Sequence, residues 1–191
     1  SKKRSMKKNF RPIFFSLLAV AWTSPQAAYS SAAEQSAVLA ASHHTVSPAA
    51  SKLTVDGVLD EDAWQKATVI KLPYEWMPGD NTPAPVETEC LVTFDRASLY
   101  IGFRCFDPEP GKIRAHLMDR DATDTLIGDD HVNVIIDAFN DERLGFQFRV
   151  NPLGVQADAI YSELEGYEDF SWDAIWDSAG KITDWGYSIE I

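Results

Sequence analysis

The sequence predicts an all-β domain of antiparallel strands, with one short helix near the start of the domain. Three observations carry this. Between Gly128 and Tyr161, apolar residues recur at every second position in three successive runs: Val132, Val134, Ile136 and Ala138; Phe146, Phe148 and Val150; and Val155, Ala157, Ala159 and Tyr161. Period two is the mark of antiparallel strands with one buried face. The breaks between the runs are chemically explicit. Asn140-Asp141-Glu142-Arg143 is a polar loop, and Asn151-Pro152-Leu153-Gly154 has Pro preset for the second position of a turn and Gly at its fourth. The third observation is a second hairpin upstream, Glu87 to Phe94 and Leu99 to Phe106, joined by Asp95-Arg96-Ala97-Ser98.

The chain begins with a different chemistry. Lys7, Lys8 and Arg11 form a basic start, Ile13 to Trp22 is a short apolar run, and Ala28-Tyr29-Ser30 or Ser31-Ala32-Ala33 supplies small residues for cleavage. Residues 1–33 therefore read as an export signal with Met6 as initiator and Ser1 to Ser5 upstream of it. The run is shorter than the roughly 20 residues that span a bilayer. Residues 34–51 are Ala, Ser and His without period and read as a flexible linker in which His43 and His44 are inert. The domain is then residues 52–191, long enough to bury a core of its own.

Within the domain, Lys52 to Val55 reads as a short strand closed by Asp56-Gly57. Asp60 reads as an N-cap, with Glu61 and Asp62 in the first turn, where the helix dipole favours anions. Trp64 and Ala67 share one side of that helix, and Trp64 reads as a lid on the core. Pro73, Pro78, Pro83 and Pro85 keep Lys71 to Pro85 irregular, which makes Trp76 a candidate for exposure on a loop. In the hairpin, the simplest register sets Cys90 opposite Phe103 and makes Cys105 a diagonal neighbour. Two buried thiols are the first reading; a disulfide is allowed by export but requires a register shift.

Asp119, Asp121, Asp124, Asp129 and Asp130 crowd the approach to the meander, and Asp137, Asp141, Asn151, Gln156 and Asp158 mark its polar face and edges. Adjacent carboxylates beside a strand repel unless a cation or hydrogen-bond donors compensate. The cluster reads either as solvated loop acids and turn formers or as a calcium site with Asp129, Asp130 and Asp158 as candidate ligands; the spacing is not that of an EF-hand loop. Trp172 and Trp176, four residues apart in WDAIW, share one side whether that stretch is helical or extended. They are either core or the wall of a cleft. Tyr187, Ile189 and Ile191 form a last strand cut without a turn, as in a fragment of a longer protein.

Charge narrows the partners. Six of the 17 basic residues lie before residue 12, and of the 29 acidic residues only Glu34 precedes residue 51, which leaves 11 basic and 28 acidic side chains and a formal charge of −17 on the rest. Nucleic acid is excluded as a partner, since phosphate needs a basic footprint. Cations and neutral polar ligands are favoured.

Five pieces in order, LTVDGVLDEDAW (53–64), LYIGFRCFDPEP (99–110), DDHVNVIIDAFNDERLGFQFRVNPLGVQADA (129–159), WDAIW (172–176) and WGYSIEI (185–191), resemble the family 9 carbohydrate-binding module. The version they resemble stands at the N-terminus of bacterial proteins that continue into a putative membrane β-barrel. The resemblance implies a β-sandwich of two antiparallel sheets, a calcium-type ion, a sugar cleft walled by tryptophans, and a periplasmic or outer-membrane location. Sugars present apolar C–H faces beside hydroxyl edges, so a site needs aromatic platforms flanked by polar side chains. Trp76, Trp172, Trp176, Arg143, Asn151 and Gln156 are the candidates.

Three readings follow. The leading one is a non-catalytic module that holds an oligo- or polysaccharide of xylan or cellulose type and assists its binding or breakdown by the full-length protein. The alternative is a structural domain that docks on the C-terminal β-barrel without binding sugar. A haem-binding relative would need axial ligands from His116, Met118, His131 and Met77, and no spacing singles out a pair. Catalysis is not expected of this chain: it has no GxSxG, no HExxH and no Cys with a His partner, and with 28 acids a carboxylate pair at glycosidase spacing carries no information.

Overall fold

Neighbouring segments pair antiparallel almost throughout the computed structural model, which describes residues 44–75 and 82–191. The strands are β1 (Ser47–Pro48), β2 (Thr68–Lys71), β3 (Tyr74–Glu75), β4 (Thr82–Pro83), β5 (Thr88–Phe94), β6 (Leu99–Phe106), β7 (Val132–Ile136), β8 (Leu144–Val150), β9 (Gln156–Ser162), β10 (Tyr167–Asp169), β11 (Ala179–Ile182) and β12 (Gly186–Glu190). Two single-turn helices, α1 (Asp62–Gln65) and α2 (Thr123–Leu126), complete the elements together with a 3₁₀ turn at Pro110–Lys112. One sheet runs β1-β5-β6-β12-β11 with β2 also on β5, a second runs β10-β9-β8-β7, and β3 and β4 form a small ribbon.

The two large sheets make the sandwich. Ile101, Phe103 and Cys105 of β6 and Tyr187 and Ile189 of β12 meet Val132 of β7 and Val150 of β8 in one core cluster. A second cluster lies on the outer side of the six-stranded sheet, where Trp64 of α1 packs with Leu53, Ala63 and Leu91. Trp64 is the lid its spacing suggests. Gly102 makes room for it, since a Cβ there would meet Leu59 at 2.6 Å and the Trp64 ring at 3.2 Å. The indole N–H donates to Glu190 (2.7 Å), whose other oxygen accepts the N–H groups of Asp56 and Gly57 at 2.7 Å each. Glu190 thus ties the loop before α1 to the last strand. Burial pushes its carboxyl above the ordinary range, against the pull of those three donors.

Several local expectations change. Residues 52–55 form no strand; Leu53 instead plugs the Trp64 cluster. The first strand is β1, inside the stretch that reads as linker, where Ser47 and Pro48 pair parallel with Thr93 and Phe94. A two-residue strand leaves no periodicity to read. The cap of α1 is Glu61 rather than Asp60, and no side chain caps it, because Glu61 accepts the Thr54 N–H instead. A second helix, α2, accompanies the one expected.

The hairpin forms in the simplest register, Cys90 opposite Phe103, and both thiols are free. Burial pushes each thiol up to about 11.

The meander holds its three strands but not its expected faces. Val150 pairs with Gln156, Phe148 with Asp158 and Phe146 with Ile160, so Gln156 and Asp158 share the inward face with the aromatics. Ala157 and Ala159 lie on the other face, opposite Arg149 and Gln147. The turn sets this register: Asn151 N–H donates to Val155 O, and the Asn151 side-chain oxygen accepts the N–H groups of Leu153 and Val155. Alternation separates two faces but does not say which is inward when both are covered. Among the described residues no helix is long and apolar enough to cross a membrane.

Candidate functional site on the outer face of the four-stranded sheet

On the inward face, the segment 172–178, without regular secondary structure, lies against β8 and β9. Trp172 stacks on Phe146 at 4.9 Å, and Trp176 meets Phe148 edge-on at 5.1 Å. Both tryptophans are half-buried and share one face, as their spacing requires. Beside them, Arg120 donates to Asp158 (2.5 Å) and to the Ala174 carbonyl (2.7 Å), with Asp121 at 3.4 Å and Asp173 at 3.3 Å. Asp158 is 1% exposed, and its second oxygen accepts the Ala174 N–H at 2.6 Å. Burial works against the Arg120 charge, but the three carboxylates outweigh it and raise the group.

Carboxylate oxygens of Asp121, Asp158 and Asp173 lie within 4.8 Å of one another, close enough to hold a metal ion. The Arg120 guanidinium already stands among them. The expected ligand set is not assembled: Asp158 is here, while Asp129 and Asp130 are part of another network. Asp129 accepts from the His116 ring (2.6 Å), the His116 N–H (2.7 Å) and the Asn151 amide (3.1 Å), and Asp130 accepts the Arg114 N–H at 2.8 Å. Burial alone would raise the Asp129 carboxyl; those donors hold it below its ordinary range. The donors that adjacent carboxylates require are therefore backbone and side-chain N–H groups.

Asn151 belongs to the same network and is fully committed. Its oxygen takes the two turn N–H groups and its amide donates to His116 O and Asp129, which uses all four of its hydrogen-bonding capacities within the protein. Gln156 donates to the Trp176 carbonyl at 3.1 Å. Trp76 and Met77 lie outside the described residues. Of the described haem-ligand candidates, His116 and His131 both bond Asp129 through Nδ1, and Met118 packs beside Leu126.

The outward face of the same sheet is built differently. Its register sets Asn133 beside Arg149 and Ala157, then Ile135 beside Gln147 and Ala159, then Gly145 beside Tyr161 and Glu168. The alanines of β9 leave space over which β8 and β10 meet: Arg149 donates to Glu168, and Gln147 donates to the same carboxylate oxygen at 2.9 Å. The Phe170 ring lies 5.7 Å from the guanidinium carbon of Arg149. Arg149 is 7% exposed and Gln147 1%. Even so, Arg149 Nε and Nη1 and Gln147 Oε1 are buried with no hydrogen-bond partner among the described residues. A buried polar group left unmade costs about 1–3 kcal/mol, more when charged.

Next along this face is a groove of about 380 Å³ with Ile135, Leu144 and Tyr161 as its apolar walls and Asp137, Arg143 and Glu163 among its polar ones. Gly145 forms part of its floor, and a Cβ there would meet Ile135 at 2.4 Å. The loop that brings Arg143 to the rim is organised by Asp137, which accepts the N–H groups of Phe139, Asn140 and Glu142 at 2.9, 2.6 and 2.9 Å. The Glu163 carboxylate beside Tyr161 raises its phenol. Of the sugar-site candidates, the structure brings together Trp172, Trp176 and Gln156 on the inner face, sets Arg143 at the outer groove, and spends Asn151 on a turn. Arg149, Gln147 and Tyr161 escape sequence reading, because a lone Arg in an alternating strand reads as a solvated face. The clue was the pair of alanines opposite them.

Comparison with family profiles, with curated proteins and with solved structures finds no match. The fold and its sites define an all-β sandwich domain with two polar clusters on the four-stranded sheet: one in which Asp158 uses both oxygens while the neighbouring Trp176 Nε1 has no partner among the described residues, and one in which Arg149 and Gln147 keep unpartnered buried atoms.

Proposed function

We propose that this domain is a non-catalytic module that binds an oligo- or polysaccharide on the outer face of the four-stranded sheet. The observation that carries it is the incomplete polar strip, Arg149 and Gln147 with unpartnered buried atoms, continuous with an apolar groove rimmed by charges. A sugar ring offers what the two parts lack: C–H faces for Ile135, Leu144 and Tyr161, and hydroxyls for Arg143, Glu163 and, once the Phe170 ring turns aside, for Arg149 and Gln147. Sites of this kind hold ligands at millimolar to micromolar affinity, about −4 to −8 kcal/mol.

Titration of xylo- and cello-oligosaccharides into the full chain and into Tyr161→Ala tests it. Saturable heat that the variant weakens tenfold or more supports the reading. Equal binding by both chains, or none by either in folded protein, overturns it and favours docking on a membrane barrel. A divalent ion, if calcium is the partner, would be held by Asp121, Asp158 and Asp173 in competition with Arg120. A rise in unfolding midpoint with millimolar calcium, absent in Asp173→Ala, supports that site, and an unchanged midpoint opposes it. Export to the periplasm or outer membrane, with a carboxy-terminal barrel as partner, belongs to the same proposal and rests on the amino-terminal sequence and the family resemblance.

A further inference from the structure

The outer face of the other sheet carries a feature that the proposed sugar site does not use. Trp185 sits at the turn between β11 and β12, 37% exposed, with its ring 5.2 Å from that of Phe106. The turn is rigidly held. Thr183 N–H and Oγ1 both donate to Gly186 O (2.8 and 3.1 Å), and the Trp185 carbonyl accepts Asp107 N–H at 2.9 Å. At Gly186, with φ of 140°, a Cβ would stand 2.0 Å from Cys105 O, so only glycine lets the backbone approach this closely. An indole fixed in this way is a platform prepared in advance, which spares the ordering cost of binding.

Depressions flank the indole on both sides. One, of about 420 Å³, is lined by Pro85, Val86 and Pro108 with Glu87 and Asp107 at its rim. The other, of about 210 Å³, is lined by Leu59, Asp60, Arg104, Lys181 and Thr183. In the second, the register places Lys181 and Arg104 on either side of Ser188. With strands about 4.8 Å apart, their α-carbons are about 10 Å from each other, and two long side chains can converge on one anion. Arg104 has one ion pair, to Glu89 at 3.4 Å, and keeps free donors; Lys181 has no ion pair among the described residues. Ser188 between them points its hydroxyl away, to Gly57 O. In a domain with 28 acidic and 11 basic side chains beyond residue 51, two cations lining one depression beside the indole, balanced by Asp60 and by the Glu89 partner of Arg104, set a local charge less acidic than the rest of the domain.

We propose that this face holds a second ligand site for a uronic acid unit linked to neutral sugar. The uronate carboxylate lies between Arg104 and Lys181, its ring hydroxyls meet Asp60 and Thr183, and the linked neutral sugar stacks on Trp185 toward the other depression. The acids Glu87 and Asp107 accept hydroxyls there and repel a second carboxylate. The site is independent of the strip on the four-stranded sheet.

The test is calorimetric titration of the full chain with two probes of equal length, a xylo-oligosaccharide bearing one glucuronic acid and the same oligosaccharide without it, with free glucuronate as a third. The substituted probe is expected to bind at least tenfold tighter than the neutral one and tighter than free glucuronate. That advantage should vanish in Lys181→Glu, an exposed position that leaves the fold intact, and fall in Trp185→Ala, while Arg149→Met retains it. Equal binding of both probes, no binding of either, or an advantage that survives Lys181→Glu would overturn the proposal. Loss of the advantage in Arg149→Met alone would put the uronate on the other sheet.

Discussion

Two arginine–carboxylate pairs lie on opposite faces of the same four-stranded sheet, one with an exposed Arg120 over a buried Asp158 and the other with Arg149 itself buried, and they are finished to different degrees. Arg120 on the inward face reaches Asp158, Asp121, Asp173 and the Ala174 carbonyl, and Asp158 uses both of its oxygens. Arg149 on the outward face reaches Glu168 and leaves Nε and Nη1 unpaired, beside a Gln147 whose oxygen is also unpaired. A completed cluster fixes a fold. An incomplete one in a folded domain calls for a physical account, and the account proposed for Arg149 and Gln147 is a ligand.

The largest effect is expected at the finished cluster. Arg120→Leu leaves the Asp158 carboxylate buried without its cation, and stability should fall by about 3–5 kcal/mol in urea unfolding. A loss below about 1 kcal/mol would mean that Asp158 is solvated and that the two clusters do not differ in kind. Arg149→Met is expected to behave in the opposite way. Its partner Glu168 is about a quarter exposed and can turn to water, and the methionine removes two unmade donors, so the cost should stay within about 1 kcal/mol. Sugar binding, by contrast, should weaken tenfold or more.

Acid probes the third network. The donors around Asp129 hold its carboxyl below the ordinary value of 3.8, so the folded state releases this proton more readily than the unfolded chain. That stability is present above pH 3.8 and is lost as pH falls through the lower folded value. Asp129→Asn should flatten the acid limb of the stability profile; an unchanged limb would remove the His116–Asp129–Asn151 network from the account. The smallest effect concerns the core thiols. With both held at about 11, Cys90 and Cys105 should resist iodoacetamide at pH 8 in folded protein and react on unfolding. Fast labelling of either would show that the β5–β6 region opens locally.

Legibility in the sequence followed the length of each pattern. The hairpin and meander strands were visible because alternation persists over five or more residues, and Cys90 opposite Phe103 followed from the turn length. The facing of β9 was not, because Asn151 lets the turn return one residue out of step with the apolar run. β1 was hidden by its two-residue length. Trp172 and Trp176 were rightly joined on one side, whereas the Asp129–Asp130 pair pointed to an ion and the structure answers with N–H donors. Arg149, Gln147 and Arg120 were unreadable for a common reason: what distinguishes an engaged arginine from a solvated one is the set of partners that distant segments bring, 168–170 for one and 158–174 for the other.

The most direct test titrates soluble xylo- and cello-oligosaccharides into the full chain, into Arg149→Met and into Arg120→Leu under conditions where all three are folded. The account predicts saturable binding to the full chain, retained in Arg120→Leu and lost in Arg149→Met despite near-unchanged stability of the latter. Binding that survives in Arg149→Met, or that disappears only where stability falls, would contradict it.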